Sequence, residues 1–291
     1  MKAWQPQDYD NWQQFYSKPE LKANEDLEVE FRKEWNANQL FKGISKKIKI
    51  IFLRGYYSSW MPGNLKAPRR FFDKIGFRTE IAPLISGGHV RNNGNILTSY
   101  LEKQKDDFLL LCHSKGGLDF LAACSFAGKS FSPYLRGIIF SQTPSGHSIV
   151  MNELLGAQPL FPSRIHKLKN QLMLKAIKIT GHLPGGICLT EKGFMENRSL
   201  FSPPLDVPLL SVATWSIKAS SWVDSYHARL TKAHPGCAHD GQFYLCDQLW
   251  SKYGKQLILG GIDHAQPAMG GLGFNHCRYW LSLINMLKKY L

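Results

Sequence analysis

Ser114 stands where an apolar run, Leu109-Leu110-Leu111-Cys112, breaks into His113-Ser114-Lys115-Gly116-Gly117 before a helical pattern begins. A serine hydroxyl is a poor nucleophile near neutral pH. It does covalent chemistry only when a neutral imidazole takes its proton and a carboxylate holds that imidazole in the right tautomer. A sharp strand-to-helix turn exposes the oxygen but demands small neighbours, and Gly116 and Gly117 supply them on the helix side. The alternative for such a Ser-x-Gly-Gly segment is an ordinary turn. Two downstream segments carry the other two groups. Ala238-His239-Asp240-Gly241-Gln242 holds a carboxylate, and the apolar run Lys255-Gln256-Leu257-Ile258-Leu259 passes through Gly260-Gly261-Ile262-Asp263 into His264.

The chain order Ser114, Asp240, His264, with the nucleophile at an elbow and the acid in an Asp-Gly pair, resembles the α/β-hydrolase superfamily, most nearly its lipase and esterase branch. The resemblance spans roughly residues 46 to 291. It implies an α/β fold with a mainly parallel central sheet flanked by helices and a helical cap or lid insertion. It also implies a catalytic triad of Ser114, Asp240 and His264. Two backbone N–H groups would form the oxyanion hole: that of Lys115, after the nucleophile, and that of Tyr56, in Arg54-Gly55-Tyr56, where the superfamily has His-Gly-x. Cys112 stands where the usual elbow has its first glycine. The implied reaction is cleavage of a carboxylic ester through an acyl-enzyme, with lipids, simple esters or a polyester such as polyhydroxyalkanoate as substrate. Acyl transfer, thioester cleavage and amide cleavage use the same triad, because fold and triad do not select the acceptor.

Other residues compete for these roles. Asp224 is closer to the apolar run ending at Trp215 and is the rival acid, while Asp263, beside His264, reads as a loop-shaping residue. His113 reads as packing under the elbow. His147 and His239 either line the pocket or are structural. No His/Cys/Asp/Glu cluster has metal-ligand spacing, so neither a metal nor a cofactor is expected. The six cysteines read as free thiols, with a Cys237–Cys246 bridge around Asp240 as the alternative for an exported protein.

Six apolar runs suit buried parallel strands: residues 48–53, 78–85, 108–112, 137–141, 208–215 and 257–260. Helical patterns cover 93–105, 116–127 and 276–291. Residues 1–45 form a polar helical extension to the 46–291 domain, and residues 143–206 form the cap insertion. In that insertion Ile165, Leu168, Leu172, Ala176 and Ile179 recur at helical steps among Lys167, Lys169, Lys175 and Lys178. This predicts a basic amphipathic helix, with its apolar face either on the active-site cleft or on an anionic membrane surface. Met151, Leu154, Leu155, Leu160 and Phe161 suggest an apolar acyl pocket.

Of the 291 residues 44% are hydrophobic, enough for one large core, and the net charge is +14. The first 45 residues hold six Lys or Arg against eight Asp or Glu, leaving 30 against 14 in the remainder. Charge of this size permits a non-catalytic basic binding protein on a hydrolase scaffold, but no nucleic-acid motif accompanies it. Without a signal-like segment in Met1 to Trp12 or a membrane-length apolar stretch, the sequence is read as soluble and cytoplasmic.

Overall fold

The apolar runs become strands because each is covered on both faces, which favours continuous Val, Ile, Leu and Phe over alternation. In the computed structural model, which describes residues 3–9, 25–37, 45–61, 63–127, 133–155, 164–203, 206–220, 226–250 and 252–290, they form one six-stranded sheet. The strands are β1 (Lys49–Leu53), β2 (Arg78–Ile81), β3 (Phe108–His113), β4 (Leu135–Ser141), β5 (Leu209–Trp215) and β6 (Lys255–Gly260). Their spatial order is β2-β1-β3-β4-β5-β6, and every pairing is parallel. β3 is central and has no exposed residue. β2 stops at Ile81, short of the expected Ile85, because Pro83 lacks an N–H and cannot extend the ladder.

One face of the sheet is covered by α3 (Val90–Leu101) and α4 (Lys115–Ala127), packed on Ile51, Leu53, Leu110 and Phe140. The other is covered by α1 (Glu25–Asn36), α2 (Lys66–Lys74) and α11 (His276–Leu287), packed on Ile50, Phe52, Leu109 and Leu111. Between β4 and β5 the chain makes α5 (Ile149–Leu154), α6 (Arg164–Ile179), α7 (Leu183–Ile187) and α8 (Glu191–Asn197). The remaining helices are α9 (His227–Ala233) and α10 (Gln266–Met269). Among the described residues no helix is long and apolar enough to cross a membrane.

The start of the chain is built into this core. Trp4, Leu27, Phe31 and Trp35 are buried with Tyr279 and Trp280 of α11. The Trp4 ring lies 4.8 Å from that of Trp35 and 5.2 Å from that of Phe274. Phe31 is fully buried, so Phe31→Ala should cost about 3–5 kcal/mol of unfolding free energy. Urea denaturation checks this; a loss below about 0.5 kcal/mol, as for ordinary surface substitutions, would mark α1 as a dispensable appendage.

Candidate active site

Ser114 sits on the turn from β3 into α4 with φ 53°, the left-handed region that non-glycine residues rarely occupy. Its N–H donates to the Ser141 carbonyl at 2.9 Å, and its own carbonyl accepts from Gly117 N–H at 3.0 Å. Small neighbours are obligatory here. A Cβ at Gly55 would lie 2.9 Å from the Ser114 Cβ, and one at Gly116 would lie 2.7 Å from the Leu53 carbonyl oxygen. At Gly117 it would meet the Thr143 hydroxyl at 2.2 Å. Cys112, in place of the usual first glycine, is fully buried below the turn, and burial raises its thiol pKa well above the ordinary value.

The structure brings Ser114, His264 and Asp240 into one chain of hydrogen bonds. Asp240 Oδ2 lies 2.7 Å from His264 Nδ1, and His264 Nε2 lies 2.9 Å from Ser114 Oγ. An ionised carboxylate only accepts, so Nδ1 carries the proton and the Nε2 lone pair faces the serine hydroxyl. Asp240 is fully buried, and its Oδ1 accepts the N–H groups of Gln242 at 2.9 Å and Phe243 at 2.8 Å. Its backbone carbonyl accepts from His264 N–H at 2.8 Å, tying the acid loop to the histidine loop. The rival Asp224 lies outside the described residues. Asp263 is buried and shapes its loop: Oδ1 accepts from Gln266 N–H at 3.0 Å, ahead of α10, and Oδ2 accepts from Ser220 N–H.

Two residues under the elbow hold the histidine loop from below. His113 Nε2 lies 3.0 Å from the His264 carbonyl and 3.1 Å from Gln142 Oε1, so it donates to both. Gln142, also left-handed at φ 53°, donates from Nε2 to the Asp263 carbonyl at 2.9 Å and to Thr214 Oγ1 at 2.5 Å. No motif marks Gln142 as a site residue. Its one signal is a polar side chain immediately after an apolar strand, at the carboxyl edge where α/β sheets place their sites. His239 does not reach the cleft; it is buried against His227, with ring centroids 4.5 Å apart, and meets Thr231 Oγ1 at 3.0 Å. His147 does not line the cleft either.

A cleft opens over Ser114 and His264. Tyr56, Tyr57 and Met61 form one wall, and Val150, Met151, Leu154, Met173, Ile177 and Leu189 of the β4–β5 connection form another. Met151 and Leu154 therefore take the wall position expected for them. Leu155 faces a separate groove, and Leu160 and Phe161 lie outside the described residues.

The apolar stripe of α6 is expected either on the cleft or on an anionic membrane surface. The predicted stripe does not cover the cleft: Leu168, Leu172 and Ile179 are 58%, 60% and 75% exposed. At about 100° per residue, Met173 and Ile177 lie on the opposite side of the helix, and it is they that reach the cleft. The Ile165 and Lys167 side chains lie outside the described set.

The remaining expectations concern charge and ligands. The Lys115 side chain turns away from the cleft into a buried ion pair with Asp119 Oδ1 at 2.6 Å, and Asn93 Nδ2 donates to Asp119 Oδ2 at 2.9 Å. All six cysteines are free thiols, Cys237 and Cys246 included. No group of three or more His, Cys, Asp or Glu placed to hold a metal occurs among the described residues.

A parallel six-stranded sheet with a left-handed serine after its central strand, and loops carrying an acid and a histidine after β5 and β6, is the α/β-hydrolase fold. The chain is similar in structure to a metagenomic carboxyl esterase, at 13% identity over 88% of this chain and 80% of the other, with a TM-score of 0.66. It is similar to a Bacillus licheniformis lipase in its mature form, at 18% identity over 86% and 96%, with a TM-score of 0.62. A third likeness is to Staphylococcus hyicus lipase, at 11% identity over 87% and 99%, with a TM-score of 0.56. At such identities the likeness establishes the fold. No protein-family model and no curated protein matches the sequence.

The imidazoles around this site make stability depend on pH. Burial holds His113 down at about 3 and His239 at about 4, and it lowers His227 as well. An unfolded chain protonates these groups from about pH 6.5 downward, whereas the folded chain resists. Their contribution is therefore intact above about pH 6.5 and is lost as pH falls toward 4, at up to about 1.4 kcal/mol per pH unit for each histidine. A His113→Gln/His239→Gln variant should show a shallower fall of urea-unfolding free energy between pH 7 and 4.5. Equal slopes in variant and parent would contradict this.

Proposed function

We propose that the protein is a serine hydrolase that cleaves carboxylic esters with apolar acyl groups, and the observation that carries this reading is the Ser114–His264–Asp240 hydrogen-bond chain opening onto an apolar cleft. The Ser114 oxygen attacks the ester carbonyl carbon as its proton passes to His264 Nε2, and the carbonyl electron pair moves onto oxygen. Asp240 stabilises the imidazolium and keeps Nδ1 protonated. The tetrahedral intermediate collapses, the alcohol leaves with the proton returned by His264, and Ser114 is left acylated. Water then repeats the sequence, releasing the carboxylic acid and restoring the hydroxyl.

The developing oxyanion is held by the N–H groups of Lys115 and Tyr56. Among the described residues neither N–H has an acceptor within the protein, which suits donors reserved for a reacting oxygen. The acyl chain lies along Val150, Met151, Leu154 and Ile177.

We also propose a membrane-surface role for α6, and its outward face supports it. Leu168, Leu172 and Ile179 project to solvent with Lys169, Lys175 and Lys178 exposed on the same helix. Such a face suits an anionic lipid surface, each basic residue near it contributing on the order of 1 kcal/mol that fades as salt shortens the Debye length.

Ser114→Ala should lose both fluorophosphonate labelling and turnover of p-nitrophenyl esters while folding normally; undiminished labelling removes Ser114 from the nucleophile role. Asp240→Asn should lose about 10⁴-fold in turnover through the wrong imidazole tautomer. Asp224→Asn should change it little, and the reverse ranking would transfer the acid role.

Replacing Lys169, Lys175 and Lys178 with Gln should weaken sedimentation with anionic vesicles at low salt while sparing hydrolysis of a short soluble ester. Partitioning that is equal on neutral and anionic vesicles and insensitive to salt would remove the electrostatic role.

A further inference from the structure

We propose that His182, at the turn between α6 and α7, is a positioning residue that sets the oxyanion-hole loop 55–60, so that the β4–β5 insertion completes the reaction centre rather than only walling the substrate. The proposal rests on Tyr56 N–H being an oxyanion donor, as argued above.

The loop needs an outside support. Tyr57 follows the donor at φ 62°, a left-handed conformation that persists in a bulky residue only where surrounding contacts fix it. The insertion supplies those contacts at one place. Tyr56 Oη donates to the His182 carbonyl at 3.0 Å, and the His182 ring lies 4.5 Å from the Tyr57 ring. His182 Nδ1 faces the Thr180 carbonyl at 2.9 Å and therefore carries the proton. Nε2 is then an acceptor, taking the hydroxyls of Ser59 and Ser86, each at 3.3 Å. Ser86 Oγ also accepts from Ser59 N–H at 3.2 Å, so one imidazole grips the loop directly and through a serine.

His182 is only 4% exposed, and burial lowers its pKa, which favours the neutral ring that this hydrogen-bond pattern uses. Glycines permit the approach. A Cβ at Gly87 would lie 2.5 Å from the His182 Cα, and one at Gly186 would lie 2.9 Å from the Tyr56 hydroxyl. The seam is completed by Gly185 N–H donating to the Gly87 carbonyl at 2.7 Å. Side chains that merely line a pocket do not require this convergence of two backbones and a fixed tautomer on one loop.

The test compares the parent with Tyr56→Phe, His182→Ala and a Ser59→Ala/Ser86→Ala double variant, each checked for folding by circular dichroism. Hydrolysis of p-nitrophenyl butyrate gives kcat and KM. A trifluoromethyl ketone gives the affinity for a tetrahedral adduct, in which a Ser114 Oγ–carbon bond forms, the carbonyl pair moves onto oxygen and His264 takes the proton. Losing a whole oxyanion donor costs about 10²–10³ in kcat, so misplacing one should lower kcat by roughly 10-fold or more. KM should change less than about threefold, and ketone affinity should weaken in step with kcat/KM. Effects of Tyr56→Phe and His182→Ala should be less than additive, because both act on one loop.

Folded variants with unchanged kcat and ketone affinity would overturn the proposal. So would a rise in KM at constant kcat, the signature of a pocket wall. Should His182→Ala fail to fold, Tyr56→Phe, which removes one hydroxyl, decides by the same readings. Failure of the hydrolase reading is distinct: the parent itself would neither turn over the ester nor bind the ketone.

Discussion

Ser114 is held in a backbone conformation that costs an L-residue roughly 1–2 kcal/mol, and the arrangement around it follows from that. The turn lifts the hydroxyl off the carboxyl edge of the sheet, but only if β1, β3 and α4 crowd together beneath it. Crowding is possible because Gly55, Gly116 and Gly117 carry no Cβ; at each of them one would meet a neighbouring atom within 3.0 Å. The bond from Ser114 N–H to Ser141 locks the turn to β4, and Gln142, the next residue, carries that reference across to the histidine loop. Ser114 and His264 are thus registered to each other through β4.

The same crowding accounts for a buried charge. Lys115 follows Ser114, and its side chain runs back into α4 rather than out into the cleft. With Asp119 one turn along and Asn93 across from α3, the ammonium is compensated where it lies. The cleft is left without a fixed positive charge from this residue, in keeping with its apolar walls, while the basic excess of the chain resides elsewhere.

Much of this was legible in the sequence, for local reasons. The strands could be read because parallel strands buried on both sides are short unbroken apolar runs. The elbow could be read because paired glycines directly after a serine, at the end of such a run, meet the steric demand of a strand and a helix crossing closely. The limits were non-local. Pro83 ended β2 early, although the apolar pattern ran on to Ile85. α6 carries two apolar faces, and periodicity marked the one with more members, Leu168, Leu172 and Ile179, rather than Met173 and Ile177, which meet the cleft. Gln142 and His182 were invisible because what defines them is contact with segments 121 and 126 residues away.

The packing of Trp4 bears on how the molecule comes to exist. Its indole N–H donates to the Gly260 carbonyl, a contact between residues 256 positions apart, and its ring stacks edge-on to Phe274. A contact of that separation forms only once residues 260 and 274 have joined the chain. Until then Trp4, Phe31 and Trp35 lack their contacts with Phe274 and Tyr279, and this face of the sheet is not sealed. Long-range closure of this kind slows folding and prolongs the exposure of sticky intermediates. The Trp4 contact thus adds to the share of non-local pairings on which this fold depends.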